Sequence, residues 1–338
     1  MEPVLFERIR NSLIEKRVGL AEWLRSAQQE EKEVALGPAA EDSLLAHMEI
    51  IDDAITKAEE GSLGLCEVCH ESVEPELLEM DYTARVCLSH FSKQEIRNLE
   101  NELGLAQEVQ RMLLPQEVPD IPGLEVAAFT RPAQIVGGDY FDFLDFQDQG
   151  QGIAIADVAG HGVAASMHMA SVQSLLRALV PGITSPAELA KKLNNLFIHN
   201  INYTTFVSLF ISSLNPREKT LTYCNSGHNP PLLLRQGQVD EWLQPTGPAV
   251  GLVEGATFEE KSVPLNSGDL LLLYTDGVTE AINPQDDEFG AERLCDLVRQ
   301  DSQLPAQELV QHLRIGLDAF TEGKALDDDL TIVLCKIL

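Results

Sequence analysis

Downstream of Pro115 the chain runs through eight short strand-like segments, LEVAAF, YFDFLDF, GIAIADV, TTFVSLFISSL, KTLTYCNSG, PLLLRQG, DLLLLYTDG and LTIVLCKIL, bounded by Gly, Pro, Asn and Asp. Helical spacing interrupts them at about 162–180, 186–200, 290–300 and 305–321. Runs of consecutive strands between separated helix pairs lack the strict strand-helix alternation of a parallel sheet. The pattern predicts an α+β protein built on largely antiparallel sheet.

Upstream the texture differs. Val4, Leu5, Ile9, Leu13, Leu20, Trp23 and Leu24 fall at helical spacing among charges, LGPAAED breaks the pattern at Gly37 and Pro38, and Leu44, Leu45, Met48, Ile51 and Ile55 resume it. Two amphipathic helices with a tight break predict an antiparallel, coiled-coil-like hairpin over residues 1–61. From Ser92 onward, Ile96, Leu99, Leu103, Ala106 and Leu113 form a heptad-like seam ending at LLPQ, which predicts a linker helix over 92–114. Such a seam suits either a homodimer or a single helix packed on its own domain.

At 338 residues the chain exceeds one ordinary domain, and its 44% hydrophobic content suits a soluble globular protein. The formal charge of −30, from 24 Lys and Arg against 54 Asp and Glu, leaves no cationic surface for phosphate backbones or anionic lipid. Neither a nucleic acid nor a membrane partner is expected. No apolar stretch approaches the roughly 18 residues of a membrane span, and MEPVLFERIR lacks a signal-peptide pattern, so a cytoplasmic location is expected.

VGGDYFDF places Asp139 behind two glycines, in a run that otherwise suits Val or Ile. A carboxylate in a core must be paired, protonated or given a cation. AIADVAGHG puts Asp157 at the end of one apolar run, LLLLYTDGVTEA puts Asp276 at the end of another, and ALDDDLTIVLC sets Asp327, Asp328 and Asp329 directly before the last. A strand-end Asp before Gly is by itself a turn former. Four strand edges delivering carboxylates together point to a shared site. Oxygen donors without His or Cys suit Mg2+ or Mn2+ rather than zinc. Two such ions roughly 4 Å apart activate a bridging water and clamp phosphate oxygens, which indicates phosphate-ester hydrolysis.

RPAQIVGGDYFDF, IADVAGHGVAAS, TFVSLFISSLNPREKTLTYCNSGHNPPLLL, LLLYTDGVTEA and DDDLTIVL stand in the order seen in PPM-type, protein phosphatase 2C-like, serine/threonine phosphatases. The chain most resembles the bacterial branch typified by the sporulation stage II protein E and the stress-response phosphatases of partner-switching modules. The resemblance covers about residues 107–338 and implies an αββα sandwich over 115–338 holding two Mn2+ or Mg2+ ions. By the family's roles, Asp157 would bridge the ions, with the carbonyl of Val158 nearby. Asp276 and Asp328 would complete one ion's shell, and Asp139 would help hold the pair. Asp329 occupies a neighbouring position, in the ligand set or just outside it. Asp139, Asp157, Asp276 and Asp328 would form the catalytic set.

Relatives of the eukaryotic type carry a histidine two residues after the bridging aspartate, where this chain has Ala159. His161 is either its substitute or a solvent-facing helix start. The phosphate-gripping arginine of those relatives has no clear counterpart, although Arg131 lies close to the first motif. His228 in SGHNPP reads as a turn histidine held by hydrogen bonds.

CEVCHESVEPELLEMDYTARVCLSH sets Cys66 and Cys69, then Cys87 and His90, in two short chelating pairs over residues 62–91. Four such ligands close a tetrahedral site for one structural Zn2+. His70 is a rival to His90, which fits better by restoring the two-residue spacing. Cys224, Cys295 and Cys335 read as small buried hydrophobes. Hairpin and finger together resemble the DksA/TraR family of transcription regulators over about residues 1–92, with GSLGLCEVC and ARVCLSH as the matching pieces. His90 stands where that family often has a fourth cysteine, and the tip LGPAAED lacks its paired acidic residues.

The expected function is thus a metal-dependent phosphoserine/phosphothreonine protein phosphatase regulated through its N-terminal module. By resemblance, its substrate would be a phosphorylated anti-sigma-factor antagonist. The alternative is a non-enzymatic, DksA-like RNA polymerase regulator, or a scaffold with a silent phosphatase domain.

Overall fold

The computed structural model describes residues 40–73, 86–146, 150–198, 205–215, 218–235 and 237–338, with Arg10, Leu13, Ile14, Arg17, Val18, Ala21 and Arg25. It divides into two compact units, Met1–Asn101 and Glu102–Leu338.

In the first unit, helix α1 (Ala40–Glu59) packs Ile51 and Ala54 against Leu13 and Leu63. Arg17 reaches Asp52 with Nε at 2.8 Å and a second nitrogen at 3.2 Å. Most of the expected first helix, and the hairpin tip, lie outside the described residues. Those described between Arg10 and Arg25 are helical. Helix α2 (Lys93–Leu113) begins with a capping box, the Glu95 N–H donating to Ser92 Oγ and the Ser92 N–H to Glu95 Oε2. It buries no residue fully. Of the expected seam, Ile96, Leu103, Ala106 and Leu113 are half-buried and Leu99 is exposed. Leu105, Val109 and Met112, at i, i+4 and i+7, form a second apolar stripe that is 54–66% exposed.

The second unit holds two five-stranded antiparallel sheets. The elements in chain order are β1 (Leu124–Arg131), β2 (Tyr140–Asp145), β3 (Gln151–Val158), α3 (Gly162–Leu179), α4 (Pro186–Phe197), β4 (Val207–Asn215), β5 (Thr220–Ser226), β6 (Leu232–Arg235) and β7 (Gln238–Trp242). They continue as β8 (Lys261–Pro264), β9 (Leu270–Tyr274), α5 (Asp276–Thr279), α6 (Gly290–Gln300), α7 (Ala306–Thr321) and β10 (Leu330–Ile337). One sheet runs β1-β10-β9-β6-β7, the other β2-β3-β4-β5-β8.

Period-two alternation divides each strand between two cores. Phe141, Ile153, Ile155, Phe210, Tyr223, Leu271, Leu273 and Val333 meet between the sheets. Tyr140, Leu144, Ala154 and Ala156 face α3 and α4, while Leu270, Leu272, Ile332 and Leu334 face α6 and α7. Helices on both outer faces complete four layers, the expected αββα sandwich. On the α3 side, the buried Asp142 accepts from Tyr140 Oη at 2.6 Å and takes a two-point grip from Arg177 at 2.7 and 2.8 Å. That network fastens α3 to β2.

All eight strand-like segments form strands. The sequence reading missed β7 and β8, and both are sheet edges. Each has a single neighbour, and QVDEW and KSVP carry polar side chains in place of an apolar run, unlike the edges β1 and β2.

Candidate metal centre and catalytic site

The same alternation that builds the inter-sheet core carries a set of polar residues to one end of it. Asp157 continues the inward series of Ile153 and Ile155. Asp139 precedes inward Phe141, Thr275 follows inward Leu273, and Asp329 and Thr331 precede inward Val333. Pairing of Tyr140 with Ala156 and of Ile332 with Tyr274 aligns these strand ends within each sheet.

Asp139 is 6% exposed. Its Oδ2 accepts from the hydroxyls of Thr275 at 2.8 Å and Thr331 at 2.6 Å, both from the opposite sheet. Its Oδ1 is buried with no hydrogen-bond partner among the described residues. Burial first, then the Asp157 charge, pushes this carboxyl well above its ordinary range.

Asp157 is lifted to about 8 by burial, with Asp276, Asp328, Asp329 and Glu280 adding repulsion. Asp276 opens the short α5, and burial raises it against the opposing pull of nearby backbone N–H groups. Asp328 is raised by burial and by Asp276 and Asp329, with His161 pulling the other way. The Val158 carbonyl lies beside Gly138, where an added Cβ would come within 2.9 Å of it.

Asp329 is buried and spends both oxygens on the β1–β2 loop, accepting from the Ala133 N–H at 2.7 Å and the Gly138 N–H at 2.5 Å. It braces the loop that presents Asp139, whereas Asp327 is exposed. Gly137 is demanded by this brace, because a Cβ there would collide with the Asp329 carboxylate. The same Gly137 peptide is gripped from α2. Its N–H donates to Gln110 Oε1 at 3.1 Å and its carbonyl accepts from Gln110 Nε2 at 2.5 Å. A cleft of about 410 Å³ lies between α2 and this loop, lined in part by Gln107, Arg111, Leu114 and Ile135, and reaching Asp139 and Asp329.

His161 precedes α3, is exposed, and pairs Nδ1 with Gln134 Nε2 at 3.1 Å. Arg131 is committed to Asp318 at 2.9 Å. His228 is 2% exposed and held by hydrogen bonds through both its backbone and its ring. The sequence reading missed Gln110, Thr275, Glu280 and Thr331. Only Glu280 left a signal, one helical turn after Asp276.

Oxygen donors that repel one another, with a buried carboxylate oxygen left over, are the donor set of a hard cation. Bound cations would satisfy Asp139 Oδ1 and relieve the repulsion that raises the carboxyl pKa values. The residues present therefore fit a hard cation such as Mn2+ or Mg2+.

In the first unit, one ligand atom from each of Cys66, Cys69, Cys87 and His90 lies within 4.8 Å of the others. N–H groups of Cys69, Cys87 and Val68 draw the Cys66 thiol down to about 6, overcoming the larger opposing effect of burial. His70 stands outside this group, at a turn with φ 60°. Cys224, Cys295 and Cys335 are buried, and burial raises all three thiols.

The chain is 27% identical over 241 residues to the phosphoserine phosphatase RsbU of Bacillus subtilis, covering 71% of each protein. It is 29% identical over 270 residues to protein IcfG of Synechocystis sp., covering 71% of this chain but only 42% of that one. The SiaA-PP2C domain of Pseudomonas aeruginosa superposes with a TM-score of 0.65 at 21% identity, over 72% of this chain and 98% of that domain, which shows a shared fold. A match to the model of Stage II sporulation protein E (SpoIIE) spans residues 147–338, more than half of the chain, and the protein belongs to that family of PP2C-type phosphatases.

Proposed function

We propose that the chain is a Mn2+- or Mg2+-dependent phosphoserine/phosphothreonine protein phosphatase, with Asp139, Asp157, Asp276 and Asp328 as ligands and Val158 contributing its carbonyl. The observation that carries this reading is the buried, half-satisfied Asp139 at the meeting of four strand ends rich in carboxylates. When bound, the ions supply an activated water and a clamp for phosphate oxygens.

The chain's own residues do the rest. Thr275 and Thr331 fix one oxygen of Asp139 and leave the other free to bind. Asp329 acts as a brace, holding the loop so that Asp139 need not reorganise. Asp157 gives up the proton it retains in the metal-free chain. By its likeness to a phosphoserine phosphatase, the substrate is a phosphorylated partner-switching protein such as an anti-sigma-factor antagonist.

The N-terminal hairpin (1–61) and finger (62–91) are proposed as the regulatory input, with Cys66, Cys69, Cys87 and His90 holding one structural Zn2+. The linker helix (92–114) would carry that input toward the phosphatase domain (115–338). Leu105, Val109 and Met112 are the stripe proposed for a homodimer, since they lie beside the half-buried seam rather than on it.

The test is hydrolysis of p-nitrophenyl phosphate and of a phosphoserine-bearing antagonist, with and without Mn2+, by the wild type and Asp157→Asn. Mn2+-dependent turnover lost in the variant supports the reading. Equal turnover in both removes the site assignment.

A further inference from the structure

The loop that carries the chain from β5 in one sheet to β6 in the other buries His228. Its N–H donates to Asn225 Oδ1 at 2.8 Å, and its ring Nδ1 lies 2.7 Å from Ser208 Oγ. Nε2 is buried without a hydrogen bond among the described residues. Burial brings the pKa of the ring down to about 4, against the smaller opposing pull of the main-chain carbonyl of Tyr274, which lies near the ring but outside hydrogen-bonding geometry. The imidazole is therefore neutral, with one donor and one acceptor nitrogen.

Both neighbours border the catalytic carboxylates. Ser208 stands directly opposite Asp157 in the β3–β4 register, so the two side chains share the inter-sheet face. Tyr274 ends β9, one residue before Thr275, which holds Asp139, and two before Asp276. His228 thus lies between the strand alongside Asp157 in one sheet and the strand end leading to Asp276 in the other. A turn histidine needs only its backbone bonds and has no reason to be buried there with a polar nitrogen unspent.

We propose that His228 is a positioning residue. Nδ1 accepts from the Ser208 hydroxyl and Nε2–H points to the Tyr274 carbonyl, so the rigid ring sets the separation of Asp157 from Asp276 across the two sheets. The inference rests on the metal-dependent reading above. It adds a device that holds one member of the carboxylate set at a fixed distance from another without touching metal or substrate.

The test is Mn2+ binding by titration calorimetry, with thermal melting of the same samples, for wild type, His228→Leu, His228→Gln, Ser208→Ala and Asp157→Asn. Wild-type binding abolished by Asp157→Asn establishes the metal site, and its absence overturns the metal reading itself. Given that site, His228→Leu is expected to weaken Mn2+ about tenfold or more, the cost typical of losing a residue that orients a ligand. Its melting temperature is expected to hold, because an apolar side chain fills the buried space. Ser208→Ala should weaken Mn2+ less and add little to His228→Leu, and His228→Gln should recover part of the affinity. The KM for p-nitrophenyl phosphate at saturating Mn2+ should stay near the wild-type value. Unchanged Mn2+ affinity in His228→Leu, whether or not it melts lower, overturns the proposal. Should His228→Leu fail to fold, unchanged affinity in Ser208→Ala does the same.

Discussion

Two glycines precede Asp139 because the chain is gripped there from both sides, by the Asp329 carboxylate within the domain and by Gln110 from the linker helix. Gly137→Ala forces its methyl group into Asp329. It is expected to destabilise the domain by about 1–3 kcal/mol and to lower kcat more than KM, measured by urea unfolding and p-nitrophenyl phosphate kinetics. The carboxyls carry a second consequence. Asp157, lifted to about 8 from an ordinary 3.8, stabilises the metal-free fold fully below pH 3.8, and that stability is lost as pH rises through about 8. His228, depressed to about 4, acts in another window, its contribution being lost only as pH falls from 6.5 toward 4. Between about pH 6.5 and about pH 8, then, the metal-free chain is expected to melt progressively lower, and to level off above that. Mn2+ should flatten that slope and release protons on binding at neutral pH, a release read by calorimetry in buffers of different ionisation enthalpy. The acidic residues were legible because each sits beside an apolar run where a carboxylate is out of place. Thr275, Thr331 and Gln110 were not, because a hydroxyl at a strand end meets Asp139 only when the two sheets pack face to face, and Gln110 meets its partner only through the docking of α2.

Among the elements, α2 is the one whose sequence promised less than it delivers. Its heptad-like spacing identified a linker helix but carried no sign that Gln110 would pair with a peptide two residues from Asp139. Gln110→Ala is expected to lower kcat several-fold at saturating Mn2+ while the domain stays folded, and activity equal to wild type would show the grip to be incidental. The α3 helix depends on the Asp142–Arg177 pair, whose arginine is half-exposed while its carboxylate is buried. Arg177→Ala strands that carboxylate and should destabilise the domain by about 2–3 kcal/mol, less than a fully buried pair because water screens the outer partner. Chemical denaturation measures it. Strand positions were readable wherever both faces are buried, as in LLLLY. They were invisible at the edges β7 and β8, where one side lacks a neighbour and the sequence turns polar.

On the scale of the whole molecule, two units with separate cores imply two separable stabilities. On the proposal that the first unit holds zinc, chelation or Cys66→Ser is expected to abolish the lower of two calorimetric transitions and to leave the transition of residues 102–338 in place. A single transition that shifts as one would contradict this division. The topology has a further consequence, for synthesis. Strand β10 lies between β1 and β9, so Leu124 meets its partner only at Ile337, and Thr331 and Asp329 join the site at the same late stage. Until then a chain growing on the ribosome displays β1 and β9 with bare hydrogen-bonding edges and cannot close its carboxylate cluster. Such long-range pairing is slow, and its unfinished edges invite aggregation. A nascent chain is therefore expected to lean on chaperones until β10 pairs, and to gain phosphatase activity only after that.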